Sequence, residues 1–250
     1  MPSTLIKKLN GDRFEIRVSE PGRYPEAFQV LKKKPGTIYG IGEVSLLSVP
    51  GLAIVGARKA SYYGLHHATR FGAMAAEAEV TLVTGGAIGI DTAAMKGVLG
   101  CDGKCIVVLG SGCNQLYPAE NASLFQQVID RGGLILSEQP WDMPPRPYAF
   151  RARNRLVSAL SNAVFVIEAG LPSGTFSTVN DALEMGKGVL ALPGSIDDSM
   201  SVGPNTFISQ HDADAVIDRE TFFEALCRYN LINRFELNQF LSIPADRQPQ

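Results

Sequence analysis

Four arginines, Arg146, Arg151, Arg153 and Arg155, fall within ten residues that hold no acidic side chain. Tyr148 and Phe150 are interleaved with them, and Asn154 stands between the last two. A guanidinium fork matches the oxygens of a phosphate, and an aromatic ring gives a nucleobase a face to stack on. The segment reads as a phosphate-binding surface with platforms for bases. One or two of its arginines could instead pair with Glu138 or Glu168.

Glycine-rich loops add a second kind of anion site. They are Gly56-Ala57-Arg58-Lys59-Ala60-Ser61, Thr84-Gly85-Gly86-Ala87-Ile88-Gly89-Ile90-Asp91, Leu109-Gly110-Ser111-Gly112, Ser173-Gly174-Thr175 and Pro193-Gly194-Ser195. Each follows a predicted strand. Where a helix starts next, free backbone N–H groups face an approaching anion. Five such strand ends suit an extended anion better than one small ligand. The first loop is not a G-x-G-x-x-G and no acidic residue ends the second strand, so a dinucleotide fingerprint is absent. Asp91 reads equally well as the cap of the helix that follows it.

Catalytic patterns are sparse. No serine sits on a G-x-S-x-G elbow. His66 and His67 fall on a predicted helix. Glu168 ends a predicted strand at the ligand edge without a partner carboxylate, and we group it with the binding residues. Of the four cysteines, Cys101, Cys105 and Cys113 lie in or beside one predicted strand and Cys227 is remote, a spacing that fits no common zinc site. Reduced, buried thiols are expected, with no metal and no cofactor.

The elements that must position these residues alternate. LAIVGA, VTLVTGG, CIVVLGSG, LILSEQP, AVFVIEAG and GVLALPGS read as buried strands, and ADAVID as a final short strand or turn. Between them HHATRFGAMAAEA, DTAAMKGVL, ASLFQQVIDRG, RNRLVSALS, STVNDALEMG and NTFISQHDA read as helices. This predicts a Rossmann-like, doubly wound α/β fold: a mostly parallel sheet with helices on both faces and ligands at the carboxyl ends of its strands. Residues 1–35 read as a lead-in packing on a core at 36–218, with a helical segment at 219–241 and a disordered tail at 242–250. The segment TFFEALCRYNLINRFELNQFL is an amphipathic helix or helix pair with too much apolar surface to stand alone. The lysine run Lys32-Lys33-Lys34 reads as a solvated face.

The chain has 250 residues, 45% apolar and 19% charged, with a net charge of -2. That balance can fill a core and excludes a strongly basic protein, though not a local basic groove. No apolar run is long enough to span a bilayer, and the polar start is unlike a signal peptide, so a cytoplasmic location is expected.

Together, IVGARKASYYG, VTGGAIGID, GKCIVVLGSGCNQLYP, LILSEQP, RARNRLVSALSNAVFVIEAG and ALPGS, with GPN further on, resemble the DNA-processing protein A (DprA/Smf) family. Their order and spacing match it from about Tyr24 to Val216. The resemblance implies an extended Rossmann fold and a non-enzymatic, homodimeric protein. It also implies binding of single-stranded DNA and loading of the RecA recombinase in natural transformation. It carries the family's DNA-binding positions onto Arg58, Lys104, the Gly85-Gly86 loop and Arg151 to Arg155. The sequence departs from the family at Ala94-Met95, Phe150-Arg151 and Asp212-Ala213, and shows neither an N-terminal helical module nor a winged helix. A rival resemblance is to the LOG-type nucleotide phosphoribohydrolases, whose catalytic glutamate aligns with Asn180. A third reading is a sensor of a small phosphorylated nucleotide on the same scaffold.

Overall fold

The computed structural model describes residues 8–242, so the tail expected at 242–250 lies outside the described residues except for Ser242. Nine strands form one sheet: β1 (Arg13–Arg17), β2 (Thr37–Gly42), β3 (Gly51–Val55), β4 (Thr81–Thr84), β5 (Cys105–Val108), β6 (Leu134–Ser137), β7 (Ser161–Val166), β8 (Gly188–Ala191) and β9 (Asp214–Ala215). Their spatial order is β1-β2-β6-β5-β4-β3-β7-β8-β9. From β6 to β9 all pairings are parallel, and β1 and β2 join antiparallel at one edge. The mostly parallel Rossmann-like sheet expected from the alternating elements is thus present.

Eight helices connect and flank the sheet: α1 (Tyr62–Glu77), α2 (Ile90–Gly100), α3 (Ala122–Asp130), α4 (Pro147–Ala159), α5 (Thr175–Glu184), α6 (Val202–Ser209), α7 (Arg219–Arg228) and α8 (Arg234–Leu241). The all-apolar strands follow from burial on both faces. Leu52 and Ile54 of β3 pack with α1, α2, α3 and α7. Ala53 and Val55 of the same strand pack with α4, α5 and α6 on the other side. The terminal segment is a helix pair: Phe222, Phe223 and Leu226 of α7 are buried, Phe240 of α8 stacks on Phe223 at 4.4 Å, and Phe235 remains 71% exposed. Arg219 ties α7 to α1 through two hydrogen bonds to Glu77 of 2.8 and 2.7 Å.

Helices α1 and α6 begin earlier than the sequence reading placed them, at Tyr62 and Val202, and two further elements differ from it. β2 went unassigned, because TIYGIG hides its strand period behind two glycines. Gly40 faces Phe14 across the ladder and leaves room for its ring, and Gly42, at φ +112, lies against the Gly133 carbonyl. Helix α4 begins at Pro147 rather than at Arg153. A proline at the first helical position has its fixed φ preset and loses no hydrogen bond there.

Helices α1 and α2 approach each other closely because Gly72 and Gly97 carry no side chain. A Cβ at Gly97 would overlap the Thr69 carbonyl, and one at Gly72 the Ala94 carbonyl. Gly97→Ala should therefore cost about 1–3 kcal/mol through overpacking, despite the better helix propensity of alanine. Denaturant unfolding checks this; a variant as stable as the parent would mean the helices can move apart.

Candidate nucleic-acid interface

The strand order reverses at β3, whose neighbours are β4 on one side and β7 on the other. In open α/β sheets the crevice beyond such a reversal is where ligands sit. A cleft of about 570 Å³ opens there. The turn after β3 lines it with Gly56 and Arg58, and the turn after β4 with Gly85 and Asp91. The segment after β7 brings Ser173, Gly174 and Thr175 at the start of α5, and α4 brings Phe150, Arg151, Arg153 and Asn154.

Arg153 forms the floor. Its residue surface is 6% exposed, and its Nε has no hydrogen-bond partner. A Cβ at Gly85 would overlap its guanidinium, so the glycine is what lets the arginine lie against the backbone. Burial lowers the Arg153 pKa to about 10, with the charge of Asp91 opposing that shift and the charge of Arg58 adding to it. The side chain remains a cation at neutral pH. Asp91 is buried too, which raises its pKa, while Arg153 and two loop N–H groups oppose the rise. Those donors are Gly85 N at 3.1 Å and Ala87 N at 3.2 Å. Asp91 is thus the brace of the glycine loop and not the helix cap, which is Gly89 at φ +82.

On the far wall the Asn154 amide donates to Ser177 Oγ at 2.8 Å and to Gly174 O at 3.3 Å, fixing the start of α5 against α4. Arg58 lies over the Phe150 ring at 5.9 Å, and Tyr117 packs on that ring at 5.2 Å. The cleft thus combines cations, a helix N-terminus and the Phe150 ring, with Tyr117 packed on that ring beside it.

Other expected residues have different duties. Arg155 turns away and makes a two-pronged pair with Glu138 at 2.7 and 2.6 Å, while its Nε donates to Lys33 O. Glu168 takes no arginine. It is fully buried and accepts from Ser61 N at 2.9 Å and from Ser61 Oγ, so this pair secures the start of α1. Lys104 stands at the amino end of β5, the opposite end of a parallel strand from the cleft, and donates to Arg131 O. Gly86 packs on Val107 and Phe125, and Gly89 on the Ala57 carbonyl. Gly110 lies under Phe150, and Gly112 against the carbonyls of Pro140 and Trp141. Ser111 is buried and donates to Gln115 O. The Gly194 loop is closed on Asn205. Arg146 and Tyr148 are exposed outside the cleft. Of the cysteines, Cys105 and Cys113 are buried free thiols, but Cys101 is exposed.

The sequence reading missed Ser199 and Met200, which line the cleft although they follow β8. The Ala169 N–H donates to Met200 O at 2.8 Å and draws that loop in. Asn180, the position aligned with the hydrolase glutamate, is exposed and off the cleft. The residues that α5 turns inward are Thr175, Ser177 and Thr178, none of them a carboxylate.

A doubly wound, mostly parallel sheet with a cleft lined by arginines and glycine turns at its switch point defines a Rossmann-like α/β protein. The chain belongs to the DNA recombination-mediator protein A family, whose model matches residues 15–227. It is 41% identical over 187 residues to Protein Smf of Escherichia coli, covering 75% of this chain and 50% of that one. To DNA processing protein DprA of Streptococcus pneumoniae it is 36% identical over 187 residues, covering 75% and 66%. The chain spans about half the length of several curated relatives it matches. Among solved structures it is similar to DNA processing protein A from Helicobacter pylori, described for its single-stranded DNA binding mode. The TM-score is 0.78 and the identity 30%, over 88% of this chain and 98% of that one. A molybdenum cofactor binding protein from Rippkaea orientalis, at 22% identity and a TM-score of 0.51, shares the fold alone.

Proposed function

We propose that this chain binds single-stranded DNA in the switch-point cleft and acts by binding, without turnover. The observation that carries the reading is Arg153: a buried cation without a hydrogen-bond partner at Nε, held at the floor of an open cleft. A buried guanidinium nitrogen left without an acceptor is costly, and the side chain that carries it borders the open cleft. Arg58 and the start of α5 supply neighbouring phosphate contacts, and Tyr117 and Phe150 supply stacking faces. Family membership supports DNA as the source of those phosphates. As further parts of the reading, the protein works in the cytoplasm as a homodimer and passes its strand to the RecA recombinase in natural transformation.

The test is a titration with single-stranded oligonucleotides over a salt series. Log affinity should fall linearly with log salt, with a slope of about -0.7 per phosphate contacted. Duplex DNA should bind more weakly, and AMP and ATP should compete poorly. A flat salt response, or AMP displacing the strand at equal concentration, would favour the small-nucleotide reading.

A further inference from the structure

The outer face of α1 carries a second acid-free stretch in which cations and rings alternate. From Arg58 to Ala76 the sequence holds Arg58, Lys59 and Arg70 and no acidic residue, with Tyr62, Tyr63, His66 and His67 between them. Among the described residues none of the three cations forms an ion pair.

The four rings divide into two pairs. Tyr63 and His67 serve the fold. The Tyr63 hydroxyl donates to Pro193 O at 2.8 Å, its ring meets His67 edge-on at 4.4 Å, and His67 lies over the buried ring of Phe71. Tyr62 and His66 have no such duty. Tyr62 is 86% exposed, more than any other tyrosine of the chain, and its ring lies 6.3 Å from that of His66 with 18° between the planes. The pair leaves a flat face open to water, a surface on which a nucleobase of any identity stacks.

This face continues the cleft. Arg58 and Lys59 line the cleft, and α1 starts three residues after Lys59 with no acidic residue in its first turn. Tyr62, His66 and Arg70 then follow one another, a turn apart, along one side of the helix. The stripe is about 12 Å long at ~1.5 Å per residue, room for about three nucleotides at the ~3.4 Å rise of a stacked strand. At its far end the charge of Arg70 acts on the carboxylate of Asp218, and the free positive stripe stops there.

We infer that a strand leaving the cleft past Arg58 and Lys59 runs along the outer face of α1, with a base stacked on Tyr62 and His66 and a phosphate at Arg70. This inference rests on the single-stranded DNA reading above and lengthens the bound segment beyond the cleft. The unpaired positive charge and the continuity with the cleft favour a nucleic acid over an apolar protein partner on this face. The contacts are made by ring faces and charge, so they are indifferent to base sequence.

The experiment compares oligothymidylates of about five and about twelve nucleotides, within the range of sites that hold single strands in this way, by anisotropy at low salt. Tyr62→Ala should weaken the longer strand about tenfold, the worth of one base stacked on an aromatic ring, and change the shorter one less than twofold. Tyr62→Phe keeps the ring and should bind both as the parent does. Arg70→Ala should make the salt dependence shallower by about 0.7 for the longer strand alone. If Tyr62→Ala binds the longer strand as tightly as the parent, the inference falls and the DNA reading stands. An equal loss on both strands does the same, because Tyr62 then acts on the cleft and not beyond it. Failure of the parent to bind either strand would remove both.

Discussion

Arg153→Met should weaken single-stranded DNA binding by about ten- to a hundredfold, the worth of one desolvated, charge-assisted contact at roughly 1.5–3 kcal/mol. The melting temperature should fall only modestly, because Asp91 loses an opposing charge but keeps its Gly85 and Ala87 N–H donors. The Nε of Arg153 has no partner in the folded protein, so little internal bonding is lost, and methionine keeps much of the packing along α4. The attraction to Asp91 is given up, but the cost of burying the cation goes with it. The salt slope should fall by about one contact. A variant that binds as tightly as the parent would show that phosphates do not reach the floor of the cleft.

Arg155→Ala should do the reverse. The Arg155 and Glu138 side chains are only 16% and 13% exposed, and their two hydrogen bonds hold Glu138, just past β6, to α4. Removing the arginine strands a carboxylate and frees the Lys33 carbonyl. The loss should be about 3 kcal/mol, the low end for breaking a buried pair because both groups keep some solvent. In a chain of this size that is a fall of roughly 6–12 °C in melting temperature. Affinity for DNA per folded molecule should change less than about twofold, too little for a lost charged contact. In the double variant Arg155→Met, Glu138→Met part of the stability should return, because no charge is left unpaired. If affinity collapses while the melting temperature holds, Arg155 reaches the strand after all.

These opposite outcomes mark what the sequence could and could not reveal. An apolar run closed by a turn residue is legible as a buried parallel strand because both its faces are covered, and six such runs, five of them closed by glycine, were enough to place the cleft at one edge of the sheet. The division of labour among the arginines was not legible. Residues two apart on a helix point about 200° apart, so Arg153 and Arg155 meet different surroundings, and the early start of α4 at Pro147 put both well inside the helix. Glu138 was foreseen as an arginine's partner and is one. Glu168 was offered as the alternative partner and grouped with the binding residues, yet it holds Ser61, because a buried carboxylate takes whatever donors the nearest helix start presents. Lys104 is a different case. The family resemblance carried it to the DNA, but it precedes its strand, and in a parallel sheet that places it at the edge away from the cleft.

The order in which the sheet closes has a consequence of its own. The turns after β3 and β4 come early in the chain, but α4, β7 and the start of α5 come from the second half, and Ser61 meets Glu168 across 107 residues. A ribosome releasing this chain thus produces the cleft-facing glycine turns long before the arginine that floors the cleft. No prefix that stops short of β7 holds a finished cleft, so an emerging or truncated chain lacks the proposed binding site. On the proposed reading, a strand bound across the switch point would touch loops from both halves at once and stabilise their union as any ligand of the native state does.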